Sequence, residues 1–164
     1  MTVCRYCTPE WLEESARIYR STPKFKQAME KLTTKIFYRV KAEPAWGIDE
    51  DIIFGGCVEK GELVEMGFFS EADARERADF ILAATPQDWK RLLRKESKFV
   101  TEFLLGKILL EQGSRVGAIG LAPYAGTFID ALTQTELRFP DEMSPDELSD
   151  YRTYMKEFRA RLSV

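Results

Sequence analysis

Proline residues that follow a Ser or a Thr mark helix starts along this chain. Four of the seven prolines stand in such pairs, namely Thr8-Pro9, Thr22-Pro23, Thr85-Pro86 and Ser144-Pro145. The hydroxyl of the first residue can accept a hydrogen bond from an orphan backbone N–H, and proline at the first helical position loses no donor that the helix needs. The sequence therefore predicts that helices begin at these four points.

Apolar residues recur at intervals of three and four after each of these starts, which predicts amphipathic helices. The predicted helices run over about 9–20, 23–33, 86–93 and 145–162. Ser97 is predicted to cap a further helix through Phe99 and Leu104, which Gly106 ends. Residues 114–134 are apolar and rich in Gly and Ala, so we expect a helix that is buried nearly all round and is broken or kinked at Pro123.

The apolar pattern changes to a period of two between the second and third of these helices, which predicts strands. A half-buried strand is expected over 34–41, then an antiparallel hairpin of 51–58 and 62–69 that turns at Glu59-Lys60-Gly61. A fourth strand is expected over 76–84, although a helix over 70–77 fits nearly as well. The short apolar run 107–112 between two glycines predicts a fifth strand.

The composition is that of one globular domain. The chain has 164 residues, of which 45% are hydrophobic and 31% charged, so it can bury a core without disulfides or metals. The net charge of −3 gives no overall cationic field for nucleic acid. No run of residues is long and apolar enough to span a bilayer, and the first 22 residues lack a signal core. We therefore expect a cytoplasmic protein.

Histidine is absent and cysteine is scarce, which removes much enzyme chemistry. Without histidine there is no Ser-His-Asp or Cys-His arrangement and no histidine-bound metal. Cys4 and Cys7 have no second pair to complete a tetrahedral zinc site, so they and Cys57 are interpreted as reduced thiols. No catalytic residue, metal or cofactor is assigned.

Two further motifs have ordinary structural explanations. The acidic run Asp49-Glu50-Asp51 lacks calcium-loop spacing and is interpreted as a solvated strand entry. Gly113, Gly117 and Gly120 lack the lysine of a P-loop and the full dinucleotide fingerprint, so we expect them to permit close helix packing. A small enzyme that uses the acidic run remains an alternative.

The order of elements from Arg77 to Leu132 resembles the C-terminal half of the sterol carrier protein type 2 family. The residues that carry the resemblance are the strand Ala78-Asp79-Phe80-Ile81-Leu82, Trp89 in a capped helix, the segment Gly106-Lys107-Ile108-Leu109-Leu110-Glu111-Gln112-Gly113, and the apolar helix that follows. It departs from the family pattern at Ser114, where a small acidic residue is usual, and at Pro123 and Gly126, which interrupt the final helix.

The resemblance implies an α+β fold: a five-stranded, mainly antiparallel sheet covered by helices, here with an extra N-terminal helix and a C-terminal amphipathic helix. It also implies that a fatty acid, an acyl chain, a sterol or a similarly apolar small molecule binds in an internal cavity, without catalysis. The candidate lining residues are Trp89, Phe99, Phe103, Leu104, Ile108, Leu110, Ile119, Phe128, Ile129 and Leu132.

Large side chains fill cores at least as often as they line pockets, so a packed core without a ligand remains open. The main alternative is an accessory subunit that binds protein partners and has no cavity, and a homodimer is possible. Arg91, Arg94, Lys95 or Lys98 could meet a carboxylate head near the cavity mouth. The narrow apolar seam of residues 144–162 suggests a lid over an opening, with a permanently docked helix or a dimer contact as alternatives.

Overall fold

The computed structural model describes residues 2–164 and contains eight α-helices and seven strands. The strands are β1 (Val3–Arg5), β2 (Thr34–Val40), β3 (Ile52–Glu59), β4 (Glu62–Phe69), β5 (Phe80–Ala84), β6 (Leu109–Gln112) and β7 (Glu136–Arg138). The helices are α1 (Pro9–Ser21), α2 (Pro23–Ala28), α3 (Glu71–Arg77), α4 (Pro86–Leu93), α5 (Phe99–Leu104), α6 (Arg115–Ile119), α7 (Ala122–Leu132) and α8 (Pro145–Leu162).

All four predicted helix starts are confirmed, because proline occupies the first turn of α1, α2, α4 and α8. Only two of the four hydroxyls act as caps: Thr85 accepts from the Asp88 N–H, and Ser144 accepts from the Glu147 N–H. Thr8 and Thr22 instead donate to backbone carbonyls. The predicted cap at Ser97 is wrong. Lys98 is the N-cap of α5, and the buried Ser97 hydroxyl has no hydrogen-bond partner among the described residues.

The five main strands form one mixed sheet in the order β4-β3-β2-β5-β6. β2 and β5 are parallel and the other three pairs are antiparallel. The predicted α+β class and the mainly antiparallel five-stranded sheet are therefore confirmed. The hairpin turns at Lys60 and Gly61, both with positive φ, and a Cβ at Gly61 would lie 2.6 Å from the Lys26 carbonyl oxygen.

The helix alternative for residues 70–77 is correct, and the strand predicted to begin at Glu76 begins at Phe80 instead. Ser70 caps α3 by accepting from the Asp73 N–H, a local signal stronger than the weak alternation that favoured a strand. This helix covers the second face of the sheet and buries Phe37 fully. The prediction that β2 is half-buried is therefore wrong.

Arg39 ties the same face together, since its guanidinium lies 2.6 Å from a Glu71 carboxylate oxygen, 2.7 Å from Glu111 and 3.6 Å from Asp51. These contacts join β2 to α3, to β6 and to the loop before β3. Although Arg39 is buried, its charge is paired, as a buried cation requires.

The predicted long helix over 114–134 is two helices, separated at Gly120 and Leu121. Pro123 lies in the first turn of α7, so it starts a helix rather than kinking one. The prediction that this segment is buried nearly all round is also wrong, because Val116 and Gly126 are exposed and most of α7 is half-buried. The second predicted helix likewise ends early, at Ala28.

A separate two-stranded sheet, which the sequence did not indicate, pairs β1 with β7 in parallel. Val3 lies opposite Glu136 and Arg5 opposite Arg138. The pairing brings Cys4 and Tyr6 into the main core beside α8. Cys4, Cys7 and Cys57 are all buried free thiols, and burial raises the pKa of Cys7 to about 12.

Candidate functional site

An apolar cavity lies between the sheet and the helices that cover it. The centre of a water-sized sphere can occupy about 60 Å³ of this space. The sheet contributes Ile36, Tyr38, Phe54 and Leu82 to the wall. The other wall residues are Tyr6, Trp89, Leu92, Leu93, Phe99, Leu121, Ala125, Phe128, Ile129 and Leu132. We call this space the central cavity.

A second, smaller cavity of about 30 Å³ lies beside it, toward α1 and β4. The two cavities share the wall residues Ile36, Tyr38, Phe128 and Leu132. Of these four shared residues, Phe128 of α7 and Tyr38 of β2 are half-buried.

Aromatic rings and two indole hydrogen bonds fix the walls of the central cavity. The Tyr38 ring lies edge-on to Trp89, with ring centroids 5.6 Å apart. The Trp89 Nε1 donates to the Arg39 carbonyl oxygen at 3.0 Å and so holds α4 against β2. The Trp11 Nε1 donates to the Leu132 carbonyl oxygen at 2.8 Å and holds the end of α7 against α1. The sheet, α4 and the C-terminal end of α7 therefore form a rigid frame.

Two buried hydroxyls in the walls have no hydrogen-bond partner among the described residues. They belong to Tyr6 in the central cavity and Ser15 in the second cavity. Burial raises the pKa of Tyr6 well above its usual value, so this phenol stays protonated and can donate. A buried polar group without a partner costs free energy. Because no surface of Tyr6 is accessible to a water-sized sphere, a ligand oxygen could meet its hydroxyl only after the wall moves.

A surface groove of about 400 Å³ runs between α5 and α7 on the outside of the central cavity. The groove and the cavity share the wall residues Leu92, Phe99, Ala125 and Ile129. These four side chains separate the interior from the surface, so we call this place the mouth. A Cβ added at Gly126, which also lines the groove, would meet no atom within 4 Å.

One ion pair crosses the groove: the Lys95 Nζ lies 2.7 Å from an Asp130 carboxylate oxygen. Lys98 also lines the groove and is exposed. Of the four cations expected at the mouth, Arg91 and Arg94 lie outside the groove lining. Arg91 pairs with Asp88 and Glu102, and Arg94 pairs with Glu142.

The structure brings five of the ten predicted lining residues to the central cavity: Trp89, Phe99, Phe128, Ile129 and Leu132. Phe103, Ile108 and Leu110 pack in the adjoining core without lining it. Leu104 and Ile119 do not lie in the interior at all, since 61% and 40% of their surfaces are exposed. Both residues belong to short helices, α5 and α6. Each follows a buried residue in the sequence and lies on the solvent-facing side of its helix.

None of the four sheet residues in the wall was predicted as a lining residue. Tyr38, Phe54 and Leu82 stood in predicted strands, and their alternation signalled one buried face, but not which face meets the cavity. Tyr6 carried no signal, because it enters the wall only through the pairing of β1 with β7.

Helix α8 lines neither cavity, judging from the described residues. Tyr151, Met155 and Phe158 of its apolar seam are fully buried, whereas Leu162 is 44% exposed. Phe158 packs against Phe68 of β4, with ring centroids 5.1 Å apart. These contacts favour the permanently docked alternative over the lid, which remains a prediction.

The acidic run at 49–51 holds α8 in place. Arg152 and Lys156 lie 3.6 Å and 3.7 Å from the Asp49 carboxylate, and the Arg159 guanidinium donates to the carbonyl oxygens of Glu50 and Asp51. The Asp51 carboxylate also accepts from the Ala42 N–H at 2.7 Å. The run is therefore a structural anchor.

No protein-family model and no curated protein matches the sequence. Solved structures do match. A Thermus thermophilus protein described as possibly a sterol carrier protein aligns with a TM-score of 0.65 at 17% identity, over 77% of this chain and 87% of its own. A structure of sterol carrier protein 2 aligns with a TM-score of 0.64 at 17% identity, over 78% of this chain and 97% of its own. Sterol carrier protein 2 from Yarrowia lipolytica aligns with a TM-score of 0.53 at 13% identity, over 75% and 89%. At these identities the comparisons establish the fold.

No helix of residues 2–164 is long and apolar enough to cross a membrane.

Proposed function

We propose that this chain, which has the fold of sterol carrier protein 2, binds one apolar, lipid-like molecule in its central cavity and works without catalysis. The observation that carries the proposal is the wall itself. Its fourteen residues have apolar side chains except for the two tyrosine hydroxyls and the Trp89 indole N–H, and they line a space that a surface groove adjoins. The fold supports it, since two of the compared structures are of sterol carrier protein 2 and the third is described as possibly a sterol carrier protein.

The size of the cavity sets a condition on this function. One water needs roughly 10–15 Å³ by the same measure, so about 60 Å³ holds a few waters and is less than an acyl chain requires. The second cavity adds about 30 Å³. Binding therefore requires the walls to move apart, and α7 is the wall best placed to move, because most of it is half-buried while its C-terminal end is held by Trp11.

The driving force is sufficient for such a movement. Burial contributes about 0.8 kcal/mol per methylene, or roughly 11 kcal/mol for a fourteen-methylene chain before association and ordering costs. The cost of displacing α7 and an association cost of about 4 kcal/mol or more are both drawn from this sum, so the net affinity is much weaker than burial alone would give. The Tyr6 hydroxyl, free to donate, favours a ligand that carries an oxygen at one end of its apolar chain.

Native mass spectrometry after gentle purification, followed by titration of delipidated protein with hexadecanoic acid, tests the proposal. Trp89 lies in the wall, so we expect its fluorescence to change on binding.

Ala125→Phe fills the space at the mouth and should reduce affinity at least tenfold, whereas Ala160→Phe on the exposed side of α8 should not. A protein that takes up neither acyl chains, sterols nor apolar dyes would instead support the accessory-subunit alternative. The cytoplasmic location remains a prediction.

A further inference from the structure

Within residues 2–164, five of the eight large apolar residues that are strongly exposed lie in one stretch of 16 residues, from Leu104 to Ile119. Those five are Leu104 at 61%, Leu105 at 65%, Leu109 at 44%, Val116 at 83% and Ile119 at 40% exposure. Exposed apolar residues are ordinary when they are scattered, but a cluster of them marks an interaction surface.

The two ends of this stretch lie together in space. The Arg115 guanidinium, at the start of α6, sits 5.0 Å from the centroid of the Phe103 ring in α5. The first turn of α6, with Val116, therefore lies against the helix that ends at Leu104 and Leu105. Leu109 alternates with Leu110 along β6 and lies on the other face of the sheet, where Glu111 meets Arg39. We call the surface formed by Leu104, Leu105, Val116 and Ile119 the apolar face.

Three cations stand in the same segment of the chain as the apolar face: at the start of α5, after α5 and at the start of α6. Lys98, Lys107 and Arg115 are exposed, and no carboxylate of residues 2–164 forms an ion pair with any of them. The acids of the same region are largely neutralised, because Glu102 pairs with Arg91 and Glu111 with Arg39. Glu96 and Asp79, whose backbone lies against Gly113, are the acids left exposed and without an ion pair in this region of the described chain. In a protein with a net charge of −3, this surface is thus locally cationic.

The apolar face also continues into the groove. Ile119 ends α6 and is separated by two residues from Ala122, which begins α7 and lines the groove. Helix α5 contributes Phe99 and Val100 to the groove and Leu104 to the apolar face. A surface applied to the apolar face would therefore lie next to the mouth of the central cavity.

We propose that the apolar face docks on the surface of an anionic phospholipid bilayer, with Leu105 and Val116 entering the acyl boundary and the three free cations meeting lipid phosphates. Exposed apolar residues together with cations are the combination that such an interface selects, since apolar burial and attraction to anionic lipid act together. The docked orientation turns the mouth toward the membrane, so lipid exchanges with the cavity without crossing water. That consequence rests on the proposed function, but the docking itself does not.

Co-sedimentation of the full chain with vesicles tests this proposal. We expect binding to vesicles of phosphatidylcholine with phosphatidylglycerol and much weaker binding to phosphatidylcholine alone. Lys98→Gln and Lys107→Gln should each weaken binding about fivefold, and Leu105→Asp or Val116→Asp about tenfold or more. Val64→Asp is the matched control, because Val64 is 53% exposed on β4 and lies outside the apolar face. Circular dichroism confirms that each variant is folded.

Three results would overturn the docking proposal: no binding to either vesicle, an equal loss on Val64→Asp, or a dimer that Leu105→Asp disrupts in the absence of vesicle binding. The last result would make the apolar face a contact between two copies. A chain that binds hexadecanoic acid but no vesicle contradicts the docking alone, and one that binds vesicles but no apolar ligand contradicts the proposed cavity function alone.

Discussion

The Tyr151 hydroxyl of α8 donates a hydrogen bond of 2.5 Å to the carbonyl oxygen of Tyr6, 145 residues earlier in the chain. Both side chains are fully buried, and Tyr6 also lines the central cavity. The last helix thus supports the cavity wall from behind through the residue that it holds. This relationship decides what happens when α8 is disturbed.

We expect deletion of residues from Ser144 onward to leave a chain that does not fold, since it removes three fully buried side chains from the main core. Phe158→Ala alone should lower the free energy of unfolding by about 3–5 kcal/mol, measured by urea denaturation. Leu162→Ala, at an exposed position of the same helix, is the control. A folded truncated domain that exchanges ligand much faster would instead establish α8 as a lid.

A charge inside the central cavity should abolish binding, whereas a charge on the nearby surface should not. Phe128→Asp places a carboxylate between the two cavities and should prevent uptake of hexadecanoic acid, with a loss of stability of several kcal/mol. Leu104→Arg should retain uptake, because Leu104 is exposed. Both are measured by titration calorimetry, and equal losses would show that the ligand binds elsewhere.

Breaking the ion pair across the groove should speed ligand exchange. Lys95→Met removes the contact with Asp130, and an exposed pair of this kind contributes about 0.2–1 kcal/mol. If α7 must move outward for entry, association and dissociation rates should both rise, up to about fivefold, with little change in affinity. Stopped-flow fluorescence measures the rates. Arg17→Met, which breaks the exposed pair with Glu14 far from the groove, should leave them unchanged.

The attachment of α8 should weaken in acid through Glu10. Burial acts to raise the pKa of this carboxyl, but hydrogen bonds from Tyr154 and Arg5 outweigh it and leave the pKa below its usual value. The stabilisation is therefore complete above the unfolded pKa of about 4.3 and is lost as the pH falls through the lower folded value. Glu10→Gln should cost about 0.5–1 kcal/mol at pH 7 and almost nothing at pH 2, measured by urea denaturation at both pH values. A cost that is the same at both pH values would contradict this assignment.

The sequence predicted elements best where a local signal and the packing agreed. The Ser/Thr-Pro pairs and the Lys60-Gly61 turn act within a few residues of the chain, so they could be recognised without knowledge of the fold. Residues 70–77 were ambiguous because their helix depends on one serine cap and on the sheet face that it covers. Neither β1 nor β7 could be predicted, since each is three residues long and exists through a partner more than 130 residues away.

The candidate site was harder to predict than the fold for the same reason. Trp89 and Phe128 stood out as large apolar residues in amphipathic helices, and both lie in the wall. Leu104 is equally apolar, but its side of a six-residue helix could not be inferred from so few positions. The two unpartnered hydroxyls could not be predicted, because a sequence pattern does not show which polar atoms are buried.

The parallel pairing of Val3–Arg5 with Glu136–Arg138 has a consequence for how the chain folds during synthesis. The first strand leaves the ribosome early but has no partner until β7 has been made, and the core position of Tyr6 is completed only by α8. The core around Tyr6 stays incomplete until α8 has emerged. Contacts of such high sequence separation slow folding and expose apolar surface to aggregation, so the nascent protein should depend on chaperones more than a helical bundle of equal length.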